Sequence, residues 1–175
     1  MGKSKKSVQI VILLAIILIG VYAVATVVFG SDEVPKVGQK AADFELLGMD
    51  GNVHTMSEYE GKARVINFWG TYCPPCVREM PALQAQWEKW SSQGVEIIGI
   101  NVGENKMTVE NFVAQTGVKF PILMDPKRNA VASFGVGPMP TTFFVTASGK
   151  IDHIRIGELD LNTLDKQIEQ LVNAK

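Results

Sequence analysis

The chain has two cysteines, Cys73 and Cys76, and both lie in NFWGTYCPPCVREMP, Asn67 to Pro81. Two sulfurs spaced this way could be a structural staple, a metal clip or a reactive dithiol. As a staple the pair closes a tiny loop, and the stabilisation a disulfide confers grows with the loop it closes. As a metal clip it lacks a third ligand. The two histidines, His54 and His153, fall in an early hairpin and on a late strand; no pattern sets either beside the sulfurs, and no metal is expected. Cys-x-x-Cys where a strand passes into a helix, inside an alternating strand–helix chain, is the pattern of a redox dithiol. The attacking species is a thiolate, and the free amides and positive dipole end of a helix N-terminus favour it. Cys73 is therefore expected at the helix cap, reachable from solvent. Cys76 is expected one turn in, buried, and placed to resolve a mixed disulfide on Cys73.

Pro74 and Pro75 suit a first helical turn, where a missing N–H would be unpaired anyway, but they delete two amide donors at the cap. The Cys76 amide is the one left for an acceptor there, so the Cys73 thiol is expected to be lowered only modestly, short of a strong oxidant. Pro81 falls inside the helix and is expected to kink it. Glu79 is three residues beyond Cys76, on the same helical face. It is either a solvated carboxylate suited to a helix start or, if half-buried with a raised pKa, a group that holds and supplies a proton during exchange. Across from the dithiol, GPMPTTFF puts Pro140 in a tight turn before a strand. A cis Met139–Pro140 bond is expected. It would set this backbone beside the cysteines and leave peptide groups open to an extended substrate segment.

These residues need a scaffold, and the rest of the chain supplies its pattern. ADFELLGMDGNVHTM carries an Asp50-Gly51 turn between short apolar runs, a hairpin signal. SEYEGK reads as one helical turn capped by Ser57. RVINFW is a central strand. Met80, Leu83, Trp87 and Trp90 recur at helical spacing up to Gly94. VEIIGINV is a buried strand, MTVENFVAQTG a helix capped by Thr108, FPILMD a strand and PKRNAVASFG a short helix. TTFFVT and IDHIRIG form a late hairpin, and a closing helix shows Leu161, Leu164, Ile168 and Leu171 on one face. Alternating strands and helices imply a parallel central sheet with right-handed crossovers, edged by antiparallel strands.

The N-terminus differs from this body. Val8–Phe29 is an uncharged, apolar run preceded by Lys3, Lys5 and Lys6. A helix needs roughly 20 such residues to cross a bilayer, and basic residues favour the cytoplasmic side. The run outlasts the h-region of a cleaved signal, about 7–15 residues, so a retained anchor is expected. The division is 1–7 cytoplasmic, 8–29 transmembrane, 30–40 linker and 41–175 the folded domain, on the extracytoplasmic side of the cell membrane. The body after residue 31 holds all 18 acidic residues against 14 of the 17 basic ones, which argues against a nucleic-acid partner.

FWGTYCPPC resembles the active-site stretch of thioredoxin-fold proteins, and MPTT their cis-proline loop. From about Val34 onward, the hairpin before the core, the extra ENFVAQTGVKFPILMD segment and NFWGTYCPPCVREMP resemble more closely the ResA/TlpA/CcmG group of exported thiol-disulfide oxidoreductases. CVREMP and NVGENK are most similar to ResA. The resemblance implies an α/β, thioredoxin-like fold with an N-terminal β-hairpin and a central inserted segment, preceded by one transmembrane helix. It implies an enzyme with no cofactor beyond a redox-active Cys73–Cys76 disulfide, and a monomer is expected. In that group the reduced protein acts on disulfides such as the CXXCH disulfide of apocytochrome c, with electrons from a CcdA-type membrane protein. The resemblance makes Glu79 an active-site residue and associates Glu104 with the substrate cavity; Trp69 and Tyr72, which flank the cysteines, are expected with Pro75, Met139, Pro140 and Thr141 at the substrate-facing surface. Thioredoxins carry a buried Asp six residues before the first cysteine. Asn67 stands there, as in the ResA-like proteins, and leaves Glu79 as the nearby carboxylate. Pro-Pro between the cysteines departs from the Glu-Pro often found in ResA-like proteins. A disulfide oxidant, a copper carrier on the same fold, and a peroxidase using Thr71 and Cys73 are the competing readings.

Overall fold

The computed structural model describes residues 3–29 and 34–174. The chain divides into two units, Met1–Glu33 and Val34–Lys175. The first holds one helix, α1, Lys3–Phe29. Its described side chains, residues 9–22, are all exposed. Among the described residues no helix is long and apolar enough to cross a membrane.

The second unit is a seven-stranded sheet: β1 Glu45–Gly48, β2 Val53–Thr55, β3 Ala63–Trp69, β4 Val95–Val102, β5 Ile122–Asp125, β6 Thr141–Val145 and β7 Ile151–Ile156. They lie in the order β2-β1-β5-β4-β3-β6-β7. β3, β4 and β5 are parallel, while the hairpin strand β1 pairs antiparallel to β5 and β6 antiparallel to β3. The thioredoxin-like fold read from the sequence is the one observed. The helices are α2 Pro74–Trp90, α3 Lys106–Thr116, α4 Asn129–Phe134 and α5 Leu161–Asn173. α2 runs without a break through Pro81, whose missing amide leaves the Val77 carbonyl without its usual helical partner.

Two apolar clusters form on the sheet. One holds Val65, Trp69, Cys76, Met80, Leu83, Leu164 and Ile168; the other holds Ile66, Phe68, Ile98, Ile100, Phe134 and Phe143. The alternation along β3 is the reason: successive side chains point to opposite faces, so Val65, Asn67 and Trp69 share the face that α2 and α5 cover. This parity sets a polar side chain, Asn67, in an apolar layer directly under α2.

Local details differ from the sequence reading where several capping residues sit close together. The turn after β2 is a 3-10 helix, Met56–Tyr59, capped at Thr55 rather than Ser57, because Glu58 reaches back to the Thr55 amide at 3.0 Å. α3 starts at Lys106, two residues before Thr108. Its cap is Asn105, whose side chain accepts from the Thr108 amide at 3.0 Å. Leu161 lies outside the buried face of α5 and is exposed, while Leu164, Ile168 and Leu171 are buried. Of the expected linker 30–40, residues 30–33 lie outside the described residues. The remainder is docked: the Gly38 amide donates to the Ile151 carbonyl, the Ile151 amide to the Gln39 carbonyl, and Lys40 bridges Lys150.

Candidate active site

β3 ends at Trp69 and a four-residue turn, Gly70–Cys73, leads into α2. Cys73 is the N-cap, and its sulfur accepts from the Cys76 amide at 3.3 Å. Pro74 and Pro75 leave no earlier amide for it. The two sulfurs are joined, S–S 2.03 Å. Cys73 retains 8% exposure and Cys76 none, so Cys73 is the less deeply buried of the pair.

The buried face of α2 runs Cys76, Glu79, Met80, Leu83, Gln86. It carries Glu79 into the apolar layer, where the residue is 1% exposed. One carboxyl oxygen accepts from Asn67 Nδ2 at 2.8 Å and the other from the Leu159 amide at 3.0 Å. Asn67 also donates to Thr142 Oγ1 at 2.9 Å. Desolvation disfavours the charged form and pushes the Glu79 pKa up to about 7. The nearby Glu158 charge adds to the rise, and the two hydrogen bonds oppose it. A carboxyl group poised near neutrality, one helical turn from Cys76, can take a proton from a thiol or return one.

The turn before Cys73 is braced from β4. The Glu104 carboxylate accepts from the Thr71 amide at 2.7 Å, from the Thr71 hydroxyl, and from Asn101 Nδ2 at 2.7 Å. Tyr72 donates its hydroxyl to the Val102 carbonyl at 3.2 Å and is otherwise exposed. Glu104, associated with a substrate cavity by resemblance, thus holds the turn that presents Cys73. Opposite, the Met139–Pro140 bond is cis. Pro140 is buried and its carbonyl accepts from the Gly157 amide at 2.8 Å. Thr141 is buried, paired with Phe68 across the β3–β6 ladder. Met139 is half-buried against the apolar layer that holds both cysteines, and its peptide N–H and C=O take no partner among the described residues. These are the open peptide groups the sequence led us to expect beside the dithiol.

Trp69 is a correction. It was grouped with the substrate-facing residues, but it is fully buried and packs on Phe112 at 5.0 Å between ring centroids. Strand parity points it into the layer under the site, so it is a floor. Tyr72, Pro75 and Met139 keep solvent access. The histidines are engaged elsewhere: His54 with Asp50, Glu58 and Tyr59, and His153 stacked on Phe144. Among the described residues no group of three His, Cys, Asp or Glu side chains could hold a metal. Sequence reasoning weighed Thr71 only for a peroxidase, not as a partner of Glu104, and missed Asn101 and Leu159. A polar Asn closing the apolar run IIGIN was a usable signal for Asn101; Leu159, acting through its backbone amide, left none.

Residues 37–154 match the AhpC/TSA family. The chain is 36% identical to thiol-disulfide oxidoreductase ResA of Geobacillus kaustophilus, over 98% of this chain and 99% of that one. It is 38% identical to ResA of Bacillus subtilis, over 85% and 83%. In structure it is similar to a thioredoxin-family thiol:disulfide interchange protein from Chlorobium tepidum, with a TM-score of 0.70 and 27% identity, covering 75% of this chain and 94% of the other.

Proposed function

The chain belongs to the AhpC/TSA family and is a thiol-disulfide oxidoreductase, and from that premise we propose that it reduces disulfides of exported proteins, with the CXXCH disulfide of an apocytochrome c as the favoured substrate. Reduced Cys73, as thiolate, attacks one sulfur of the substrate disulfide. A mixed disulfide forms and the other substrate sulfur leaves as a thiolate that takes up a proton. Cys76 gives its proton to the Glu79 carboxylate and attacks the Cys73 sulfur. The second substrate thiolate departs and is protonated, and the Cys73–Cys76 disulfide remains. Two electrons have passed to the substrate, and its two protons come one from Cys76 by way of Glu79, which returns to the carboxylate, and one from water. A CcdA-type membrane dithiol then returns two electrons to the pair.

The observation that carries this reading is Glu79: a buried carboxyl with its pKa near neutrality, on the helical face of the resolving cysteine. The cap supports the reducing direction. One amide reaches Cys73 where an unsubstituted helix start offers more, so the thiolate, and with it the reduced form, is less stabilised. The apolar run of Val8–Phe29 after three lysines supports an anchor that leaves the catalytic unit on the extracytoplasmic side. Trapping tests the substrate. Full-length Cys76→Ala, expressed in cells making c-type cytochromes, should accumulate a mixed disulfide through Cys73 to an apocytochrome. Trapped proteins without a CXXCH sequence would contradict that substrate assignment.

A further inference from the structure

A short loop after β7 reaches Glu79 and hydrogen-bonds its carboxyl. Gly157–Asp160 joins β7 to α5, and three of its residues reach the active site by different contacts. The Gly157 amide donates to the Pro140 carbonyl at 2.8 Å. The Leu159 amide donates to Glu79 at 3.0 Å, and its side chain, 2% exposed, packs in the layer that holds both cysteines. Glu158 is gripped by Arg78, the residue preceding Glu79 on α2, with Nη2 to oxygen at 2.6 Å and Nε to both oxygens at 3.1 and 3.2 Å. The loop is thereby fastened to the same helical turn that carries Glu79.

We propose that Leu159 and Arg78 are positioning residues for the proton step: Leu159 covers Glu79 and orients its carboxyl, and the Arg78–Glu158 pair keeps the covering loop closed. The inference rests on the role of Glu79 proposed above. Because Gly157 ties the loop to the Pro140 carbonyl, a substrate segment seated along Met139 and Pro140 presses on the element that controls water at Glu79. Seating the substrate and admitting or excluding a proton route therefore act on one loop.

The charged and titratable groups bearing on Glu79 are Glu158 of the loop, Arg78 of its own helix and, after reduction, the Cys73 and Cys76 thiols. β3 and β6 present the neutral Asn67 and Thr142. This arrangement separates two accounts of Arg78. If it acted only by charge, Arg78→Gln would leave the Glu158 carboxylate unneutralised and raise the Glu79 midpoint. If it holds the loop, the same change admits water and lowers the midpoint.

The experiment is a carboxyl-carbon NMR titration of Glu79 in the full-length oxidised chain, which reads this residue whether or not any substrate is reduced. Leu159→Ala should lower the midpoint by about one unit, a tenfold loss of proton affinity. Arg78→Gln, an exposed change that leaves the core intact, should lower it about two- to threefold in proton affinity. Leu159→Met, which keeps the covering bulk, should restore the parent value. A rise in Arg78→Gln would overturn the proposal, as would a midpoint that stays within about 0.3 unit of the parent in both Leu159→Ala and Arg78→Gln. In a parallel arm with a peptide bearing a Cys-x-x-Cys disulfide, the pH–rate profile should move with the NMR midpoint. Midpoints that shift as stated without any peptide reduction would fault the functional reading and leave the positioning roles standing.

Discussion

Glu79 costs the protein stability at the pH where it works. Its pKa in the fold is about 7, against about 4.3 for an unperturbed glutamate. Between those values the native state binds a proton that the unfolded chain releases, so stability falls as pH rises through that window. A displacement of this size corresponds to a few kcal/mol, about 1.4 per unit. Glu79→Gln should therefore unfold with little pH dependence from this site between about pH 5 and 8. The parent protein should lose roughly 3 kcal/mol relative to the variant over that range. Denaturant midpoints for the two proteins at each pH check it, and parallel curves would contradict the burial account. The prolines make a second prediction at this scale. Pro75→Ala returns an amide to the Cys73 cap. It should stabilise the thiolate and shift the dithiol toward oxidising potential, about 30 mV for each 1.4 kcal/mol, as read by equilibration with glutathione.

At the scale of elements, the site is one strand end, one helix start and two braces. Glu104 is the brace from the end of β4. Glu104→Ala would leave the Thr71 amide and Asn101 Nδ2 without their acceptor. Unpaired buried polar groups cost about 1–3 kcal/mol each, so the melting temperature should drop by several degrees and exchange at Cys73 should slow, both measurable on one preparation. The elements themselves were legible: helical spacing marked α2, apolar runs marked β3 and β4, and Cys-x-x-Cys marked the junction between them. What escaped was set by register. Trp69 looked like a flank of the cysteines in linear order, yet the two-residue repeat of β3 that turns Asn67 toward Glu79 also turns Trp69 inward. Caps were misread for a related reason. Asn105 and Thr108, like Thr55 and Ser57, are both competent N-caps, and the choice between them falls to contacts with the rest of the fold. Leu159 lay outside sequence reasoning altogether, since a backbone donor contributed by a distant loop leaves no side-chain signature.

For the whole molecule, the sheet separates two tasks. Its parallel centre fixes Cys73, Cys76 and Glu79 along the start of α2, while the antiparallel β6–β7 edge delivers Pro140 and the loop that covers Glu79. The open peptide groups of Met139 lie at the seam between these parts, suited to an extended protein segment. The apolar N-terminal run, if it holds the enzyme at a membrane surface as proposed, confines exchange to exported substrates and membrane-borne electron donors. The central claim is that a dithiol at this seam exchanges with substrate disulfides through a proton held by Glu79. It is tested most directly by the pH dependence of disulfide reduction for the parent chain and for Glu79→Gln. The account predicts an inflection near the Glu79 value of about 7 in the parent and its loss in the variant. The same inflection in both proteins would contradict it.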